Sequence, residues 1–396
     1  MKVLISGGGI GGLTTALCCL HHGHDVTLFE QAQTIGEVGA GLQIPPNAMR
    51  IFERLGVADR IAATAFAPEA IETRMGESGT TLFTIPLAAM AVSRWGAPYL
   101  HSHRADYIAA LLDAVTAQGT GIVQLGSTVS DFRQDDDGVT ALLADGRDVQ
   151  GDVLIGADGI HSALRDQLLG PDQPQFTGNV AWRAVVPIDR LGGDAPAPTA
   201  CAWMGRGRHA VTYRLRQGGL ANFVGVVERT DWQVESWTEQ ADKQEALLDF
   251  AGWHPTITRI LQETDGLFRW ALFDRPPLSH WTEGRVALLG DAAHPMLPFL
   301  AQGAAMAVED AWALAAELSR PGQTVSDALK AYEARRLPRT AKVQARSRNN
   351  AKTFHKRSAM ARLATYGPMW LGGRLAPSIV HQRMDWLYGY DEIAIP

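Results

Sequence analysis

Residues 2–30 read "KVLISGGGIGGLTTALCCLHHGHDVTLFE". The opening "KVLIS" is a short, partly β-branched apolar run stopped by glycine, which predicts a buried strand. "GGGIGG" follows at once and matches G-x-G-x-x-G at Gly7, Gly9 and Gly12, with Ile10 and Gly11 inside the turn. A helix then runs to Gly23, a good terminating residue. "DVTLFE" predicts a second strand ending at Glu30, eighteen residues after Gly12, with Gln31 beside it. Alone the glycine pattern is weak. Strand, turn, helix, strand and terminal acid in that order predict a dinucleotide site, in which the pyrophosphate approaches the helix N-terminus and Glu30 accepts hydrogen bonds from ribose hydroxyls. The competing reading, a tight turn with Glu30 merely solvated, leaves that order unexplained.

The rest of the chain sets the scale around this unit. At 396 residues it is long for one core, so two intimately packed domains are expected. A 46% hydrophobic fraction with 20% charge is ordinary for a globular protein, and no apolar run approaches the ~18 residues of a membrane span. The 36 basic and 42 acidic residues are spread out and leave a net charge of −6, with no basic footprint for nucleic acid. A small-molecule partner is expected. Cys18, Cys19 and Cys201 offer neither an ordinary disulfide pair nor a zinc set, so no metal site and a reducing cytoplasm are expected. Glycines interrupt the N-terminal apolar run too early for a signal peptide, and no targeting segment is expected.

Further stretches carry chemistry. "GEVGAGLQIPPNAM" has a glycine-rich loop from 36 to 41 that can pass close to a flat ring at Gly41 and Gln43, then Asn47 as a cap for a helix. Arg104 stands just ahead of another helix and can pair with a phosphate or simply be solvated. "DVLIGADGIHSALRDQL" is a strand leading into Asp158-Gly159 and a helix near Ser162. "RVALLGDAAHPMLPFLAQGAAMAVEDAWALAAELSR" is a strand, a proline-rich turn and a helix. Between about 175 and 275 the texture changes to alternating pieces, "NVAWRAVVPI", "TACAWMG", "HAVTYRLR" and "LANFVGVVE", which predict an antiparallel sheet joined by strands from 71–100. On one face of "HAVTYRLR" lie His209, Val211 and Tyr213. His209 and Tyr213 can therefore reach one cavity, although strand aromatics are often packing residues. Arg183 is a structural or ligand-side arginine, Cys201 reads as a small buried hydrophobe and His294 as structural rather than catalytic. The tail after about 345 reads as a helix broken at Gly-Pro, then a second helix.

"GGGIGG", "GADGIHSALR" and "LLGDAAHPMLPFLAQGAAMAVEDA", in this order and spacing, resemble the three fingerprints of the single-component, group A FAD-dependent aromatic hydroxylases, over nearly the whole chain. The resemblance implies an α/β fold: a Rossmann-like FAD-binding domain from 1–70, 100–175 and 275–345, an inserted antiparallel substrate domain from 71–99 and 176–274, and C-terminal helices over 346–396. It implies FAD held by Gly7, Gly9, Ile10, Gly11, Gly12, Glu30, Gln31, Gly41, Gln43, Arg104, Asp158, Gly159, Gly290, Asp291, Pro298, Gln302 and Gly303. Asp291 would meet the ribityl chain, Arg104 the pyrophosphate and Pro298 the ring face, while the helix after the turn stabilises negative charge on the reduced ring. NADH or NADPH would be a transient co-substrate, since no second glycine fingerprint exists. Oxygen would then give a flavin hydroperoxide that attacks an electron-rich ring. His209 matches a histidine of 6-hydroxynicotinate and 3-hydroxybenzoate hydroxylases, and Tyr213 a tyrosine of the former, which implies His209 as base with Tyr213 or Gln302 orienting the substrate. Two departures stand out: Ala301, where many relatives have glycine, and Gln43, where the 6-hydroxynicotinate type has histidine. The expected substrate is a small phenolic or hydroxy-heteroaromatic acid, with O2, and the expected assembly a monomer or homodimer. A bulky-substrate epoxidase or quinone-pathway hydroxylase, or a flavin carrier without turnover, are the rivals.

Overall fold

The computed structural model describes residues 1–36, 40–171, 174–229 and 240–395. Its fold is α/β. At the centre of a six-stranded sheet lies Lys2–Ser6, with Val3, Leu4 and Ile5 fully buried. Across it the strands run in the order Thr282–Glu283, Val286–Leu288, Val153–Gly156, Lys2–Ser6, Asp25–Glu30 and Val123–Leu125. From Val286–Leu288 to Val123–Leu125 all neighbours pair in parallel. Continuous apolar runs suit strands covered on both faces. The helices Ile10–His21 and Gly303–Leu318 supply one cover, packing against each other.

Parallel pairing has a direct consequence for the three glycine or Asp-Gly motifs. Each follows a strand of this sheet, so Gly7, Asp158 and Gly290 emerge at the same edge, together with the end of Asp25–Glu30. Open α/β sheets bind ligands in the crevice outside these carboxyl ends.

A seven-stranded sheet forms the second layer, ordered Phe268–Asp274, Gln175–Pro187, Leu220–Glu228, Arg208–Leu215, Ala200–Gly205, Ala70–Met75 and Thr81–Pro86. Alternation gives it two faces. Trp182, Trp203, Ala210 and Phe223 point outward into a core closed by Phe250, Ile257 and Ile260. Ala181, Val226 and Trp270 point inward against Leu297, Phe299 and Phe354. The inner face therefore looks at the turn after Gly290, and the sheet's tie to the parallel sheet's side also runs through the two-stranded ribbon of Gly41–Ile44 and Leu100–His103.

Beyond the sheets, Val325–Phe354 is a 30-residue helix that runs through positions 345 and 346. The expected break at Gly367-Pro368 does not occur. Ala359–Leu375 continues through Pro368 and stops before Pro377. An interior proline costs a backbone hydrogen bond, but packing against Thr81–Pro86 offsets the loss, with Gly373 so close that a Cβ there would stand 2.6 Å from that of Phe83. Asn47 is also not the cap of its helix. Pro45 takes that place, and Asn47 lies in the first turn of Pro46–Arg54 with its side chain turned inward.

Candidate active site

At the carboxyl edge of the parallel sheet the glycines are required by close approach. A Cβ on Gly7, whose φ is +105°, would stand 2.4 Å from the Ala157 carbonyl oxygen, and one on Gly12 would stand 1.9 Å from that of Gly7. A Cβ on Gly11 would meet Leu289 at 2.9 Å. So the first turn is pressed against both other motifs. Gly9 instead faces open space at the helix N-terminus, just before Ile10, the shape a pyrophosphate needs. Glu30 lies beneath this turn, accepting the Gly8 amide at 2.6 Å and the Ala32 amide at 2.8 Å, while Gln31 is exposed beside it. Arg104 is the first residue of Arg104–Thr116, and its amide donates to the Ala40 carbonyl at 2.8 Å.

The second motif is fastened from within. Asp158 accepts from the Ser162 hydroxyl at 2.6 Å and the Leu164 amide at 3.3 Å, and Gly159 beside it has φ +79°. Burial raises the Asp158 carboxyl despite those bonds. Ser162 caps its helix by accepting the Arg165 amide at 2.9 Å. The Arg165 guanidinium then reaches the carbonyls of Ile160 at 2.8 Å and Ala292 at 3.4 Å, joining the second motif to the third.

In the third motif Gly290 turns the chain at φ +62° and leaves Asp291 exposed, with Pro298 exposed in the next turn. Gly303 begins the helix Gly303–Leu318, and Gln302 precedes it. The Gln302 Oε1 accepts from Asn47 Nδ2 at 3.2 Å, and the same Asn47 nitrogen donates to Glu309 at 2.7 Å. Gln302 Nε2 is buried without a hydrogen-bond partner among the described residues, a donor left open for a ligand. His294 bonds Asp310 at 2.5 Å, a pairing within the core. The proline-rich turn is pinned from behind by three side chains of Val325–Phe354 at three-residue spacing. Gln344 donates to the Pro295 carbonyl at 2.9 Å, Ser347 to that of Leu297 at 2.6 Å and Asn350 to that of Phe299 at 3.0 Å.

Across from this turn, His209 and Tyr213 lie on the inner face of Arg208–Leu215, roughly 13 Å apart along the strand. His209 packs against Phe299 at 5.2 Å between ring centroids and shares a 2.6 Å hydrogen bond from Nδ1 to His355 Nε2. Burial, and then His355, push its pKa well below the usual imidazole range, so the ring is neutral at neutral pH. Tyr213 packs against His101 at 4.8 Å between ring centroids with the rings tilted by 51°, and burial raises its phenol, which stays protonated. The Gly41 amide donates to Asn222 at 2.9 Å, and a Cβ on Gly41 would meet Tyr213 at 2.7 Å. Gln43 follows on the same strand and accepts from the Tyr99 hydroxyl at 2.5 Å. Arg183 shares the inner face, 5.4 Å from the Trp270 ring. Cys201 does not. It lines a cavity of about 230 Å³ on the outer face with Trp203 and His254, and burial raises its thiol.

Open backbone at Gly9, the Glu30 carboxylate under the turn and the Gln302 amide donor thus lie along the carboxyl edge of the parallel sheet, features that fit FAD. A family model described as "FAD binding domain" matches residues 1–347. The chain is 39% identical over 394 residues to the 3-amino-4-hydroxybenzoate 2-monooxygenase of Streptomyces platensis, covering 98% of this chain and 96% of the relative. It is 35% identical over 399 residues to the 6-hydroxynicotinate 3-monooxygenase of Bordetella bronchiseptica, covering 100% and 96%. The chain belongs to the FAD-dependent aromatic monooxygenases. Klebsiella pneumoniae HpxO, solved with FAD and uric acid, superposes with a TM-score of 0.85 at 30% identity, covering 98% of this chain and 96% of that one. No helix among the described residues of this monooxygenase is long and apolar enough to cross a membrane.

Asn47 was read only as a helix cap, and Glu309, Asn222, His355 and the Gln344, Ser347, Asn350 ladder escaped the sequence reading. Only the ladder left a signal, polar residues every third position of a long helix.

Proposed function

We propose that this monooxygenase hydroxylates a small carboxylated phenol or hydroxy-heteroaromatic, with O2 and NADH or NADPH as co-substrates and His209 as the group that takes the ring hydroxyl's proton. The observation that carries the reading is His209 itself, a neutral imidazole on the inner sheet face opposite the proline-rich turn, with Nδ1 engaged and Nε2 without a hydrogen-bond partner among the described residues. Removing the phenolic proton enriches the ring carbons ortho and para to the oxygen, which is what an electrophilic oxygen donor requires. In this reading the Tyr213 hydroxyl, kept protonated, and the Gln302 Nε2 amide are the donors that orient the substrate.

FAD, when bound, accepts hydride from the nicotinamide and activates oxygen. In this reading the Gly7–Gly12 turn and Arg104 hold its pyrophosphate, Glu30 its ribose, Asp291 its ribityl hydroxyls and the Pro298 turn its ring. The segments 1–70, 100–175 and 275–345 form the flavin-holding unit, and 71–99 with 176–274 the unit that covers the substrate.

The test is NADH and NADPH oxidation by FAD-loaded enzyme with 3-amino-4-hydroxybenzoate, 3-hydroxybenzoate, 6-hydroxynicotinate and larger phenols, quantifying hydroxylated product and peroxide. Product matching coenzyme supports the reading, whereas peroxide alone marks an effector and silence favours a bulky apolar substrate. His209→Ala should keep FAD and lose roughly 100-fold or more of coupled hydroxylation. Unchanged product yield at every pH would remove His209 as the base.

A further inference from the structure

A buried imidazole that takes a proton must pass it on, because the charged ring is disfavoured away from water. His209 is 2% exposed and His355, its partner at 2.6 Å, is 7% exposed. His355 continues outward. Its Nδ1 lies 3.2 Å from Glu228 Oε1, and the Glu228 side chain is 28% exposed. Glu228 lines a surface groove of about 490 Å³ with Arg206, Arg208, Arg229, Asp249 and Arg357. Arg357 donates from Nε to Glu228 Oε2 at 2.7 Å and holds that carboxylate in place.

The tautomers along this line are fixed from its outer end. An ionised carboxylate only accepts, so His355 donates to Glu228 through Nδ1. Its Nε2 is then a lone pair and accepts from His209 Nδ1–H. His209 Nε2 is left as the acceptor, free to take the substrate's proton in the proposed reaction. Each ring thus takes a proton on one nitrogen and releases one from the other.

We propose that His209, His355 and Glu228 form a proton relay that carries the substrate's hydroxyl proton from the buried site to the Glu228 groove. This rests on the hydroxylase reading above. The substrate O–H bond breaks, its electron pair stays on oxygen as phenolate, and the proton joins His209 Nε2. The proton on His209 Nδ1 moves to His355 Nε2, that on His355 Nδ1 moves to Glu228 Oε1, and Glu228 releases it to water. The sum is one phenol giving one phenolate and one solvent proton. Reprotonation of the product by the reverse passage restores both tautomers. His355 and Glu228 touch no reacting atom and act through His209. The charged groups that line the groove with Glu228 at the outer end of the line are Arg206, Arg208, Arg229, Asp249 and Arg357.

The experiment mixes FAD-loaded enzyme, without oxygen, with whichever of 3-amino-4-hydroxybenzoate, 3-hydroxybenzoate and 6-hydroxynicotinate it hydroxylates, in weakly buffered solution containing a pH indicator. His355→Gln retains an amide able to bond both neighbours but cannot pass a proton, and Glu228→Gln keeps the shape of the exit. Both should slow proton appearance in the medium roughly tenfold or more, with phenol affinity within about threefold. In His355→Ala, added imidazole should restore the rate. A merely structural His355 predicts normal release in His355→Gln and no imidazole rescue, and release at the unsubstituted rate in both glutamine variants overturns the relay. Failure of the hydroxylase reading shows separately, as no product from any phenol with the unsubstituted enzyme, and takes the relay with it.

Discussion

Ala301 has φ +51° and ψ +40°, a left-handed conformation, in the turn immediately before Gln302. A side chain in that region costs ~1–2 kcal/mol relative to glycine. Glycine gives back part of that gain by loosening the unfolded chain, by ~0.4–1 kcal/mol. Ala301→Gly should therefore stabilise the protein by about 0.5–1 kcal/mol, read as a higher urea midpoint at unchanged slope. A loss of stability would show that the Ala301 methyl packs better than the backbone suggests. The sequence singled out Ala301 as a departure, but its positive φ became visible only in the turn. Gln302 was likewise singled out in the sequence, whereas its hydrogen bond with Asn47, 255 residues away, was not legible there. A side-chain amide pair carries no local pattern.

The Gly303–Leu318 helix shows the same division at the next scale. Its start after the proline-rich turn followed from the strand, prolines and small residues ahead of it. Its Glu309 and Asp310, which look like ordinary acids of a solvated face, are fully buried. Arg336, also fully buried, meets Glu309 at 2.8 Å, Asp310 at 2.7 Å and Glu392 of the tail at 2.7 Å, while Arg339 pairs with Glu309 at 2.7 Å. Burial alone would raise Glu309, but the Arg336 and Arg339 guanidiniums bring its carboxyl below the usual range. The network ties the Gly303–Leu318 helix, the long helix and the tail together. Those partners lie far apart in the chain, so periodicity could not reveal them. Breaking a buried pair from one side strands the other charges, at a cost of about 3–5 kcal/mol. Arg336→Met should lower unfolding free energy by about that much in urea melts and weaken FAD retention, since Glu309 also holds Asn47. Ser347→Ala is the milder probe of the same region. Loss of its 2.6 Å bond to the Leu297 carbonyl should cost about 1 kcal/mol, with a fall in kcat larger than the change in global stability if the turn carries the ring.

At the scale of the whole molecule, two sheets meet across a seam lined by buried imidazoles, and that seam is sensitive to acid. Burial lowers His101 to about 3 and holds His209 and His355 below the usual histidine range. In the unfolded chain these rings titrate near about 6.5. Below that pH the unfolded state binds more protons than the folded one, so stability rises with pH up to about 6.5 and falls on acidification toward the folded values. Glu309 and Asp310 act in a lower window, because depressed carboxylates lose their contribution only below about 4. Buried Glu392 and Asp158, whose carboxyls are raised, work the other way as pH climbs above their unfolded values, so a variant comparison is needed to isolate one ring. For a ring fully neutral in the folded state, moving from pH 7.5 to 5.5 removes about 1.4 kcal/mol. His101→Phe keeps the aromatic contact with Tyr213 while removing the titrating group. It should flatten the pH dependence of unfolding free energy between 7.5 and 5.5 by about 1.4 kcal/mol relative to the unsubstituted enzyme. An unchanged slope would mean that His101 is protonated in the folded seam and that the two sheets admit water there.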